Sequence, residues 1–268
     1  MKKNQTNRLS KQHKKSKGPK GIFGESAQQH DVSVKDVSVS AFETLRKKFP
    51  QLEFRYRDKL KKSEINKKLN DVDARLGVTI FVEKSEIKPD GGIIEVKDRE
   101  GKWRIVLVSE AKHQGKDIEN ISKGILVGKN KNQDTMVAGN AIERSHKNIN
   151  EIRNIMVDEK HFPYVLFLQG SNFLTESMTV KFPDGREVKL RYTDGSLNRI
   201  DRLTAANYSL PINQNSCKNI FITINGQTIM LQAVSIYTKA MPWTAEEMHK
   251  IMIDIAKSSL RIMKLIDE

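Results

Sequence analysis

The sequence has little cysteine and no long apolar run, and these absences narrow what the protein can be. Cys217 is the only cysteine among 268 residues, so an internal disulfide framework is excluded. The six histidines show no paired Cys/His spacing, which argues against a zinc site. No apolar run is long enough for a transmembrane helix, and the N-terminus lacks a signal peptide. We therefore expect a cytoplasmic protein that is not associated with a membrane.

Positive charge is abundant. The chain has 47 Lys and Arg against 33 Asp and Glu, a net charge of +14. This excess indicates a polyanionic partner, either nucleic acid or an acidic membrane surface. Residues 1–20 hold eight basic residues and no acidic one, which predicts a flexible arm that folds along a polyanion or serves only as a solubilising tail. We expect residues 21–268 to form a single domain.

Hydrophobic patterning predicts an α/β domain with a mixed central sheet flanked by helices. Two apolar runs, residues 93–97 and 103–112, are separated by a polar break with a glycine, which is typical of a β-hairpin. The run Phe162–Leu168 predicts a buried central strand. Hairpins are also expected near Val180/Leu190 and around Asn225-Gly226. Helices are expected over residues 32–48, over residues 61–69 with Ser63 as N-cap, after Ile142, and from the capping box at Thr244.

A candidate active site lies on the hairpin of residues 93–112. Asp90 sits in a Pro/Gly turn before the first strand, and Glu110 and Lys112 end the second. Alternation along a strand places Val106, Val108, Glu110 and Lys112 on one face. Mg²⁺ prefers one or two carboxylates with water and substrate oxygens. Lys112 could orient or deprotonate the attacking water, or stabilise charge on phosphorus.

The pattern Pro-Asp followed by Glu-x-Lys is weak evidence alone, because the chain contains two further matches. Glu95-Val96-Lys97 lies on the same predicted strand as Asp90, and an extended chain would put Glu95 roughly 16 Å from Asp90. Pro183-Asp184-Gly185 precedes Glu187-Val188-Lys189, and its turn chemistry favours a plain hairpin. We therefore expect Asp90 and Glu110 to bind the metal.

The segment from Thr135 to Arg144 differs in character from its surroundings. Gly139 allows close approach of the backbone to a surface, and Asn140 and Arg144 are side-chain types that read bases. The segment therefore predicts an element that contacts DNA.

Several runs in the sequence resemble the EcoRI family of type II restriction endonucleases, of the PD-(D/E)xK nuclease superfamily. They are spread over nearly the whole chain and are too long to match by chance. The clearest are Ile87–Gly92, Glu110–Asp117 and Ala138–Asn148, with Phe54–Asp58, Gly170–Thr175 and Asp201–Tyr208.

The resemblance implies a restriction-endonuclease-like fold and a homodimer that cuts double-stranded DNA within GAATTC, after the G on each strand, with Mg²⁺. It also implies a cognate DNA methyltransferase that acts on the same site without stable binding. A structure-specific repair or resolvase-type nuclease of the same superfamily is the alternative, and a DNA-binding relative without catalysis is a third.

Carried over by position, the resemblance makes Asp90, Glu110 and Lys112 the catalytic residues. It implies an extended recognition stretch from Met136 to Ala141, in which Asn140 reads adenine. Val137 stands where the family is expected to have alanine, and the tail after Ile262 is shorter than expected. The full recognition set is Met136, Val137, Ala138, Gly139, Asn140, Ala141, Glu143, Arg144, Arg199 and Arg202, and the predicted backbone contacts are Lys88, His113, Lys116 and Lys147.

Overall fold

A five-stranded mixed sheet forms the centre of the molecule in a computed structural model that describes residues 24–79, 85–125, 139–191 and 199–267. Its strands are β1 (Phe54–Arg57), β4 (Ile93–Lys97), β5 (Trp103–His113), β6 (Tyr164–Gln169) and β11 (Ser235–Lys239), in the order β1-β4-β5-β6-β11. The first three strands are antiparallel, and β5, β6 and β11 are parallel. The predicted hairpin is thus β4 and β5, and the predicted buried strand is β6, every residue of which is buried.

A β-bulge interrupts the β4–β5 pairing. The register shifts between Ile94 and Glu95, which leaves Val106 without a partner on β4. Ile105 therefore packs with Val108 on one face of the sheet, while Val106 packs in the core of the opposite face. The prediction that Val106 shares a face with Val108 is wrong for this reason. Beyond the bulge the alternation of the strand resumes.

Helices cover both faces of the sheet. On one face lie α1 (Gly24–Lys48) and α6 (Ala245–Ile262), whose apolar residues share a core with β1, β4 and β5. On the other face lie α2 (Lys62–Val72), α4 (Gly139–Ile155) and α5 (Arg199–Ala206), which contribute Ile65, Ile152 and Leu203 to a second core. Because both faces are buried, the central strands are almost wholly apolar. The predicted single α/β domain with a mixed sheet is confirmed.

Smaller elements complete the fold. The short strands β2 (Leu60–Lys61) and β3 (Glu86–Ile87) pair with each other. The hairpins β7 (Met178–Lys181) with β8 (Glu187–Leu190), and β9 (Ile220–Ile224) with β10 (Gln227–Leu231), form where turn residues predict them. The last two elements are α3 (Asp117–Ser122) and a short 3₁₀ helix, Ser171–Phe173. No helix within the described ranges is long and apolar enough to cross a membrane.

Helix boundaries differ from the sequence predictions in three places. Helix α1 begins at Gly24 and α4 begins at Gly139, both earlier than predicted. Ser63 is not an N-cap, since Lys61 holds that position and its N–H donates to the Glu64 carboxylate at 3.0 Å. The predicted arm of residues 1–20 lies outside the described residues.

Candidate active site

The turn before β4 brings Asp90 beside the end of β5. Gly91 N–H donates to Ser109 O at 2.9 Å, and Ser109 N–H donates to Gly92 O at 3.2 Å. Gly92 has φ +78°, a left-handed conformation that favours glycine, and its N–H closes the turn onto Pro89 O at 3.1 Å. The Pro-Asp-Gly-Gly sequence therefore forms a turn pinned to the returning strand.

Asp90, Glu110 and Lys112 converge at this point. The Lys112 Nζ donates to Asp90 Oδ2 and lies 2.8 Å from Glu110 Oε1. The Glu110 side chain is completely buried, whereas those of Asp90 and Lys112 are 22% and 16% exposed. The site therefore opens to solvent from the Asp90 side. Three residues predicted as one catalytic group are thus held in direct contact.

Electrostatics keeps Lys112 charged in this arrangement. Burial lowers the pKa of the Lys112 ammonium, but the adjacent Glu110 and Asp90 carboxylates outweigh it and raise that pKa above its usual value. A cationic nitrogen thus lies between two carboxylate oxygens.

Two residues that sequence reasoning missed hold the Glu110 carboxylate. The buried Tyr164 hydroxyl donates to Glu110 Oε2, and Asn148 Nδ2 lies 3.3 Å from both carboxylate oxygens. Burial and the neighbouring Glu110 raise the pKa of Tyr164 well above its usual value, so it remains a donor. In the parallel β5–β6 register Glu110 pairs with Leu166, and Tyr164, two residues earlier, shares its face. Strand pairing is therefore the signal that would have found Tyr164.

The two other pattern matches occupy different environments. Glu95 is buried and lies 2.5 Å from Arg55 Nε and 3.6 Å from Arg57 Nη1, so its charge is already satisfied. The pair at Asp184 and Glu187 lies on the exposed β7–β8 hairpin. Neither match joins the cluster around Lys112.

The predicted recognition residues fall on two helices where they are described. Gly139, Asn140 and Ala141 form the first turn of α4, so the prediction of an extended backbone is wrong for these three residues. Met136, Val137 and Ala138 lie outside the described residues. The other members of the recognition set lie on α4 and α5. Glu143 and Arg144 are exposed on α4, Arg199 is the first residue of α5, and Arg202 is exposed on α5.

The residues predicted to contact the DNA backbone differ in exposure. Lys88 and Lys147 are exposed, and Lys116 is half-buried just before α3. The His113 side chain is only 4% exposed and its Nε2 lies 3.4 Å from Glu119 Oε1. Three of the four are therefore accessible, whereas His113 is packed inside.

The donor set suits a hard divalent cation. Within the described ranges no group of three or more His, Cys, Asp or Glu could hold a metal, but Mg²⁺ needs only one or two carboxylates because water and substrate fill its other positions. The oxygens of Asp90 and Glu110 already converge on one positive group. Their placement therefore fits a shared cation.

Comparison with known proteins identifies the family of this chain. The profile of the family described as restriction endonuclease EcoRI matches residues 16–267. The chain is 59% identical to the type II restriction enzyme EcoRI of Escherichia coli, over 97% of this chain and 95% of that protein. It is 55% identical to the type II restriction enzyme RsrI of Cereibacter sphaeroides, over 97% and 94%. Type II restriction enzymes of this family act on DNA and generally need a divalent metal. The chain belongs to the EcoRI family of type II restriction endonucleases.

Proposed function

We propose that this endonuclease cuts double-stranded DNA within GAATTC, after the G on each strand, and leaves 5′ overhangs. The observation that carries the proposal is the contact of Asp90, Glu110 and Lys112 at the end of β5. High identity to two restriction enzymes over nearly the whole chain supports the same specificity.

Asp90 and Glu110 hold Mg²⁺ in this proposal. Held by these two carboxylates, the ion would supply Lewis-acid polarisation of the scissile phosphate. Lys112 is cationic beside both carboxylates, so it stabilises charge on the phosphate or orients the attacking water. Tyr164 and Asn148 fix the Glu110 carboxylate through hydrogen bonds, and this restricts where a bound cation can lie.

We assign recognition of the DNA sequence to the recognition set defined above. Residues 136–141 lie along the major groove, and Asn140 pairs with adenine through two hydrogen bonds. Glu143, Arg144, Arg199 and Arg202 complete the contacts to bases. Lys88, Lys116 and Lys147 are assigned to the DNA backbone, where contacts position the protein without reading sequence. His113 was predicted to join them, but its side chain is buried, so it is assigned to the support of Glu119 and the start of α3.

The palindromic target sequence determines the symmetry that the enzyme needs. Two identical strands cut at equivalent positions call for a twofold homodimer with one active site per strand. A cytoplasmic enzyme of this kind needs a cognate methyltransferase that protects the same sites in its host, because an unprotected genome would be cut.

Digestion of phage DNA with Mg²⁺, followed by sequencing of the fragment ends, tests the specificity. We expect every end to begin with AATTC. Ends at branched or mismatched structures, without a common sequence, would instead support the repair or resolvase-type alternative.

Variants test the catalytic assignment. Glu110→Gln and Lys112→Ala should bind a GAATTC duplex and fail to cut it, because each retains the recognition set. Asp184→Asn is the matched control, since it removes an aspartate from the same Pro-Asp-Gly pattern on an exposed hairpin. Glu95→Gln should cut within a few-fold of the parent, although removal of its pairing with Arg55 lowers stability. A cleaving Glu110→Gln enzyme beside a folded but inactive Glu95→Gln enzyme would overturn the assignment.

A further inference from the structure

A basic pocket lies at the far end of the β4–β5 hairpin from the active site. It has a volume of about 540 Å³ and lies where the C-terminal ends of α1 and α6 meet the β4–β5 turn. We call it the distal pocket. Its charged lining residues are Lys48, Arg99, Lys257, Arg261 and Lys264, with Asp267 as the one carboxylate, beside Phe49, Gln51, Leu265 and Ile266.

The five cations of the distal pocket outnumber the carboxylates near them, which are Asp267 in the lining and Asp254 beside Lys257. No ion pair within the described ranges joins any of the five to an acidic group. Arg99 Nη2 instead donates to the carbonyl of Lys264 at 2.9 Å. The adjacent Lys48, burial and the nearby Arg261 lower the pKa of Lys257, although Asp254 opposes the shift. Like charges are thus gathered around an open cavity.

Helix dipoles explain only part of this charge. Lys48 and Arg261 lie in the last turns of α1 and α6, where a cation is stabilised by the partial negative charge of the helix end. Arg99 lies in the β4–β5 turn, and Lys264 follows the end of α6. Neither residue belongs to the last turn of a helix, so a helix dipole does not explain its position. Cations from three separate chain segments therefore converge where an anion would relieve their repulsion.

The position of the distal pocket separates it from the scissile phosphate. Asp90 precedes β4 at Ile93, whereas Arg99 follows β4 at Lys97, and the strand between them spans roughly 13 Å. We propose that the distal pocket binds backbone phosphates of a second DNA segment while the active site holds the first. This inference depends on the proposed function in one respect, because it requires a first DNA duplex to be bound at the active site.

A ternary binding experiment tests this role. The full-length enzyme is saturated with a short unlabelled GAATTC duplex in EDTA, and a labelled duplex without that sequence is titrated at low salt while its anisotropy is measured. The parent should bind the second duplex. Lys257→Ala/Arg261→Ala should weaken that binding roughly fivefold or more and reduce the salt slope by about 0.9 for each phosphate that the variant no longer neutralises.

The matched control is Lys59→Ala/Lys102→Ala. It removes the same net charge from lysines that pair with Glu86 at 2.7 Å and Glu100 at 2.8 Å. Binding of the first duplex and thermal unfolding are measured for both double variants, so that a defect in folding or in GAATTC recognition is seen separately. A parent that takes up no second duplex, or equal weakening in the two double variants, would overturn the proposal.

Discussion

The hydroxyl of Tyr164 offers a sharp test of how the active site is held together. Tyr164→Phe keeps the buried ring, which stacks on Phe162 with centroids 5.8 Å apart, and removes only the donor to Glu110. A hydrogen bond to a charged group contributes about 1.5–3 kcal/mol. For a chain of this size that corresponds to a fall in the melting temperature of about 3–12 °C.

Loss of the Tyr164 hydroxyl should also affect catalysis, by an amount comparable in free energy with the loss of stability. Glu110 would keep Lys112 at 2.8 Å and Asn148 at 3.3 Å, so its carboxylate remains in place but is less restricted. Removing a group that orients a metal ligand typically costs about 10–100-fold in activity or metal affinity. We expect Tyr164→Phe to need more Mg²⁺ for half-maximal cleavage, with unchanged binding to GAATTC in EDTA.

Tyr208→Phe provides the control for this experiment. Tyr208 is 46% exposed and its ring lies 5.7 Å from the Arg153 guanidinium, a contact that phenylalanine retains. Single-turnover cleavage across a Mg²⁺ titration, with thermal unfolding of both variants, is the measurement. If Tyr164→Phe melted earlier but cut like Tyr208→Phe at every Mg²⁺ concentration, the hydroxyl would serve stability alone.

Asn140→Ala should weaken binding to GAATTC by about 1–3 kcal/mol and hardly change binding to a random duplex; equal weakening on both would show that Asn140 reads no base. Deleting residues 1–17 should weaken binding to all DNA about equally and flatten its salt dependence, whereas an unchanged salt slope would make the arm a solubilising tail. Gly91→Ala would place a Cβ 2.2 Å from Ser109 Oγ, so unfolding by denaturant should show a destabilisation of about 1–3 kcal/mol together with slower cleavage; parent-like behaviour would mean that the turn can shift freely. The Lys239 ammonium and the N-cap at Thr244 lower the pKa of Glu247 from 4.5 to about 2, so this carboxylate stabilises the fold above pH 4.5 and that contribution disappears as pH falls towards 2. Melting temperatures of Glu247→Gln and the parent should therefore converge over that range, and a constant difference would contradict it.

Local patterns in the sequence were sufficient to predict the elements that form the centre of the fold. The β4–β5 hairpin is bounded by turn residues, β6 is continuously apolar, and Thr244 caps α6 with Glu247 as predicted. Each of these signals lies within a few residues of the structure that it specifies. The contact of Asp90 with Lys112 could be predicted for the same reason, because one hairpin brings both together.

Features that depend on distant pairing could not be predicted in this way. Tyr164 reaches Glu110 only through the parallel β5–β6 register, and a parallel pair has no connecting turn to mark it. Val106 changes face at a bulge that no residue type in the strand signals. The early start of α1 lies in Gly24–Asp31, a polar stretch in which hydrophobic periodicity has little to detect.

The choice between Glu110 and Glu95 depends on how each carboxylate is satisfied. Glu95 lies within the hairpin and faces two guanidinium groups, those of Arg55 and Arg57, so its negative charge is already neutralised inside the fold. Glu110 receives neutral donors from Tyr164 and Asn148, and its ionic partner is the single ammonium that it shares with Asp90. Neutral donors fix the position of a carboxylate without neutralising its charge. Glu110 therefore keeps negative charge to share with a cation, which is what a metal site requires and what the same three-letter pattern at Glu95 lacks.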